Sequence, residues 1–186
     1  MVKTNKLFLA SSVLTALVVS LLASPAAAEI ATPHGPPMAE QLAEFKRTAF
    51  EMRREADTLK SFTPYKNLHW KSHTSRLSAL KEYVNDMGRS LTELEAQSVV
   101  VTEGHALAIE QARPHLAAVA ENLTQAIELV NEDRTNVRWG EYGEAVSNIY
   151  SHADVLHNKL DTILDYENAR MRYDNLQLEP AAAAGS

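Results

Sequence analysis

From residue 36 onward, apolar residues recur every three or four positions and polar residues fill the gaps. That period places one apolar stripe along one face of an α-helix. The first stripe is Met38, Leu42, Phe45, Ala49, Met52, Ala56 and Leu59, which predicts a helix from about Pro36 to Ser61. Pro36 and Pro37 suit a helix start, and Pro64 in "FTPY" disfavours helical backbone at Thr63. The second stripe, Trp70, His73, Leu77, Leu80, Val84, Met87, Leu91 and Leu94, continues through Ser98 and Val101. It predicts a helix over 67–101, roughly 50 Å long. Gly88 weakens that helix by about 1 kcal/mol relative to alanine.

The third stripe is Ile109, Ala112, Leu116, Val119, Leu123, Ala126 and Val130, on a helix over 105–131 that contains Pro114. A proline there removes the hydrogen bond to the carbonyl of Glu110 and favours a kink. The fourth stripe is Val146, Ile149, Ala153, Leu156, Leu160 and Ile163, drifting to Tyr166, Tyr173 and Leu176 on a helix over 141–176. The breaks between helices fall at "FTPY", "TEG" and "NEDRTN". The only strand-like run, "SVVVT" at 98–102, lies between helical segments. Four amphipathic helices with a/d spacing and short turns predict an all-α fold, an antiparallel up-down-up-down four-helix bundle with coiled-coil-like packing over 36–177. The other arrangement open to such a pattern is a long helical hairpin that completes its core by dimerising. Residues 178–186 read as a disordered tail.

The first 28 residues read differently. Lys3 and Lys6 precede an uncharged apolar run, Leu7 to Ala23, and Ala26-x-Ala28 follows. That is a secretory signal peptide with cleavage after Ala28, followed by a flexible lead-in over 29–35. The competing reading, an uncleaved membrane anchor, has only 17 residues to span with, diluted by Ser11, Ser12, Thr15 and Ser20. No cysteine stands near the cleavage site, so a lipid-anchored form is excluded. The expected location is the periplasm or the extracellular space, with no stable membrane anchor after cleavage.

Removing Lys3 and Lys6 takes the formal charge from −6 to −8. An acidic chain is a poor match for nucleic acid or anionic membrane surfaces. The absence of cysteine excludes disulfides, thiolate metal sites, a cysteine nucleophile and covalently attached c-type haem. The fold must therefore be held by its core alone.

The chemistry that remains rests on histidine and carboxylate. His69 and His73 stand one helical turn apart, about 40° from each other, the commonest spacing for two imidazoles on one ion. Zinc needs a third and a fourth ligand, and Trp70 takes the place where a glutamate would stand in HExxH. His73 falls on the apolar stripe between Trp70 and Leu77, so it is expected to point inward as a hydrogen-bonded core residue. Glu55, Glu132, Trp139 and Tyr142 lie at the same level and could satisfy it. A second metal candidate sets His115 level with His157, with Asp154 one turn before His157 on the same face. This Asp-x-x-His is one imperfect copy of the carboxylate-histidine pattern of di-iron bundles, which need two copies and two more glutamates. His152 and His157, about 140° apart on their helix, cannot share a face. Non-covalent haem would need His73 with Met52 or Met87 over an apolar slot.

Hydrolytic motifs are missing, including G-x-S-x-G. The pairs Glu93/Glu95 and Asp161/Asp165 are expected on solvated faces; Asp161 and Asp165 repel mildly and would favour a cation between them. Asn122-Leu123-Thr124 matches a glycosylation acceptor but lies in mid-helix.

"WKSHTSRLSALKEYVNDMGRSLTELE", Trp70 to Glu95, resembles a set of exported bacterial helical proteins of unknown function. The likeness is carried by Trp70, Ser72, His73, Leu77, Leu80, Lys81, Val84, Asn85, Met87 and Gly88, with Pro114 and Tyr142 further on. It implies export and a helical fold, and brings no catalytic residues. The expectation is an exported, non-enzymatic binding or structural protein of the cell envelope that contacts an envelope protein or itself. The alternative is a periplasmic metal- or haem-binding bundle using His69/His73 or His115/His157.

Overall fold

The computed structural model describes residues 37–65, 68–97, 102–135, 137 and 139–183, and of residues 178–183 the backbone alone. The signal sequence and lead-in expected over 1–35 and the strand-like run at 98–101 lie outside the described residues. Among the described residues there are four helices: α1 (Met38–Phe62), α2 (Trp70–Ala96), α3 (Glu103–Glu132) and α4 (Glu141–Ala183). α1 packs on α2 and α4, and α3 packs on the same two. The protein is an all-α four-helix bundle.

Cross-helix pairs set the register. Gln41 meets Gln97, while Glu55 meets Arg76, so later residues of α1 face earlier residues of α2. Lys46 reaches Asp165 and Arg53 reaches Asp154, and the same inversion relates α1 to α4. Gln111 meets Lys159 and His115 meets His152 between α3 and α4. These pairs run as an up-down-up-down path requires.

The core follows the stripes. Leu42, Phe45, Ala49, Met52, Ala56 and Leu59 of α1 are buried, as are all seven stripe residues of α3. Burying a large aliphatic side chain contributes about 1.5–3 kcal/mol, and this set is the main source of stability in a chain without disulfides. Helix ends follow local chemistry. Thr102 caps α3, its hydroxyl accepting from the His105 backbone N–H at 3.2 Å. Gly140 has φ of +64°, and its carbonyl accepts from the N–H of Glu144 as α4 begins. A left-handed residue at this corner is the reason glycine stands there. Pro114 lies inside α3 on its exposed face, one turn from exposed Glu110, so the carbonyl it deprives of a partner is on the solvated side.

Three expectations are corrected. α2 starts at Trp70, so His69 is its cap and not a flank residue. α4 does not end near Leu176; it runs to Ala183, and the tail expected to be disordered from 178 is helical as far as that residue. The three alanines that follow Pro180 are the residues of highest helix propensity. Third, the buried face of α4 does not drift to Tyr166, Tyr173 and Leu176. It passes through Leu164 to Glu167, leaving the two tyrosines and the leucine 62–68% exposed.

Candidate functional site

Five of the described histidines sort into four environments. His69 is exposed, and its Nδ1 accepts from the backbone N–H of Lys71 at 3.2 Å. His73 is fully buried. Of the four groups at its level, Tyr142 is the partner, with hydroxyl oxygen and His73 Nδ1 2.9 Å apart. The rings of Phe62 and Tyr142 both meet the imidazole edge to face. Burial holds the His73 imidazole below its ordinary range and pushes the Tyr142 phenol above its own. Both groups are thereby kept neutral. His73 Nε2 has no hydrogen-bond partner among the described residues. Met52 and Met87 are packed fully into the core.

His115 is brought to His152, not to His157: the two Nδ1 atoms stand 3.4 Å apart. The expected level was off by about one and a half turns, and His152 and His157 leave α4 on different sides, with α3 on the His152 side. Burial, with Lys159 and His152 as further causes, lowers the His115 pKa. His157 instead turns toward α1, where its ring meets Phe50 at 5.3 Å between centroids. Asp154, the expected carboxylate partner of His157, is held by Arg53 at 2.6 Å and by the Asn158 amide at 3.1 Å. The cation between Asp161 and Asp165 is Lys46, at 2.7 and 2.8 Å. The five side chains named for a metal, His69, His73, His115, Asp154 and His157, thus go to different partners. Among the described residues no group of three or more histidines and acids is placed to hold a metal ion.

The end of the bundle where α3 begins is built differently. Glu167 of α4 is 1% exposed, and neither carboxylate oxygen has a hydrogen-bond partner among the described residues. Its Oε2 lies 3.6 Å from Arg170 Nη1, an ion-pair distance too long for a hydrogen bond. The group is admitted by Gly104 in the first turn of α3. A Cβ there would stand 2.5 Å from Oε2 and 2.9 Å from Cδ. The positive end of the α3 dipole and the Arg170 guanidinium offset part of the cost of burying a carboxylate.

Two clefts flank Glu167. One, of about 360 Å³, lies between α1 and α4 and is lined by Lys46, Phe50, His105, His157, Leu164 and Asn168. The other, of about 420 Å³, lies between α3 and α4 and is lined by Gly104, Leu107, Ile163, Tyr166, Glu167 and Arg170. Leu107 and Tyr166 are 44% and 68% exposed at its rim. From Asn168 to Ala183 α4 continues beyond the level of Gly104, carrying exposed Tyr173 and Leu176. At ~1.5 Å per residue this is about 24 Å of helix.

The stripe read from the sequence drifts from Ile163 to Tyr166 and does not include Glu167. A strict three-four alternation from Ile149 through Ala153, Leu156, Leu160 and Ile163 nevertheless arrives at 167. Together with a glycine just inside the start of α3, that spacing is the signal by which the site could have been found.

The fold and this end of the molecule define a helical bundle with an open cleft and exposed apolar side chains at one end. No family model matches the chain, and neither does any curated protein or solved structure.

Proposed function

We propose that this is an exported, non-enzymatic binding protein of the cell envelope, which recognises a helix of a partner protein through the far half of α4 and the adjoining α3–α4 cleft. The observation that carries the reading is the exposure of Tyr166, Tyr173 and Leu176 on α4 beside exposed Leu107. Large apolar side chains gathered on an extended helix face supply the anchors that helix-in-groove recognition uses. Tyrosine suits such a face, because its ring buries apolar area while its hydroxyl stays wet. Export rests on the signal-like first 28 residues and on the resemblance at Trp70–Glu95.

The test is chemical cross-linking in the intact envelope of cells that make the protein, with adducts identified by mass. Tyr166→Ser with Tyr173→Ser should abolish the adduct that the unaltered chain forms, whereas Lys81→Ser on the exposed face of α2 should not. Identical adducts from all three chains would overturn the reading.

A further inference from the structure

Glu167 is the one buried acid among the described residues, and it lines an open cleft. We propose that the cleft between α3 and α4 takes a primary ammonium group on an apolar stem, with Glu167 as its counter-ion. This deepens the reading above by naming the chemistry of the partner's anchor, and it rests on that face being the recognition surface.

Three features fix the chemistry. First, a buried carboxylate without hydrogen bonds is costly, and a donor of opposite charge removes that cost. Arg170 stands 3.6 Å from Oε2, and Oε1 has no hydrogen-bond partner among the described residues. Second, Gly104 closes on Oε2, so a planar fork that must address both oxygens together does not fit, whereas a compact ammonium reaches one oxygen. Third, the cleft walls are Leu107, Ile163 and the Tyr166 ring, which suit an alkyl stem and favour a cation beside the aromatic face. A hard metal ion would need several oxygen ligands, and no cluster of three acids or histidines surrounds this carboxylate among the described residues. Both Glu167 oxygens are closed to bulk water, so an ammonium enters by displacing the Arg170 guanidinium, which is 44% exposed at the rim.

The ammonium could belong to a lysine of the partner protein or to a free alkylamine. The experiment uses the exported chain and follows backbone amide shifts during titration with n-pentylamine, with n-pentanol, and with a short leucine-flanked lysine peptide. Pentylamine should bind, moving Gly104 and Tyr166, and pentanol should not. Glu167→Gln should weaken pentylamine binding by about ten-fold, the value of one charge-assisted hydrogen bond. Arg170→Ala should tighten it by about three-fold, by removing a rim-exposed competitor. Tighter binding of the peptide than of pentylamine assigns the site to a partner lysine, and the reverse order assigns it to a free amine. Equal affinity for the unaltered chain and Glu167→Gln, or no shift at Gly104 and Tyr166, would overturn the proposal. Neither result depends on the envelope partner, so amine binding can fail while cross-linking holds, or the reverse.

Discussion

The Nδ1 of His73 and the hydroxyl oxygen of Tyr142 stand 2.9 Å apart, each fully packed in the core. The pair joins the first turn of α2 to the first turn of α4, and Phe62 at the end of α1 closes over it. Two polar groups in an apolar interior are tolerable only while each satisfies the other. Tyr142→Phe therefore leaves Nδ1, like Nε2, without a partner among the described residues and should cost about 1–3 kcal/mol of unfolding free energy. Urea denaturation followed by circular dichroism measures it, and a loss below the error of the fit would contradict the role assigned to the pair.

Acid should destabilise the bundle. His73, His115 and His157 are all held below the usual imidazole value, with burial the first cause in each. The unfolded chain then takes up protons before the folded one, so their contribution is complete above a pH of about 6.5 and is lost as pH falls below it. Urea midpoints across this range should decline toward acid, and His157→Gln should flatten part of the slope. A midpoint that rises on acidification would contradict the depressed imidazole values.

Two glycines should respond to alanine in opposite directions. Gly88 lies within α2, and a Cβ there would meet nothing within 4 Å. Gly88→Ala should stabilise the protein by about 0.5–1 kcal/mol through helix propensity. At Gly140 space is equally free, but φ is +64°. Gly140→Ala should destabilise by about 1–2 kcal/mol through backbone strain alone. Thermal melts of the two variants decide both signs.

Prolonged dialysis against a chelator should leave the melting temperature unchanged, because among the described residues the five metal candidates are not gathered around one point. The check is elemental content and absorbance of exported protein purified without a tag. Near-stoichiometric metal or a haem band, lost in His73→Ala, would contradict it.

Much of the fold was legible because the α1 and α3 stripes contain no charged residue and no conflict of period. Even His73 declared its inward position, since it occupies a stripe site between Trp70 and Leu77. Its partner could be narrowed only to four groups, because one-residue shifts between helices are not encoded in the stripe of either. The same limit misplaced His115: helix level was readable, but whether His152 or His157 faces α3 depends on the rotation of α4. Glu167 was missed for another reason. A hydrophobic pattern treats a carboxylate as a solvent-facing residue, so the four-residue step from Ile163 to 167 was passed over in favour of Tyr166. The end of α4 was misjudged because the alanines that follow Pro180 were read as tail, not as strong helix formers.

The central claim is that the far half of α4 meets a partner protein. Its most direct test places a photo-crosslinking amino acid at Tyr173, and in a second chain at Lys81, in cells that export the protein. One discrete heterologous adduct from position 173, absent from position 81, is the predicted result. No adduct from 173, or the same adducts from both positions, would contradict the account.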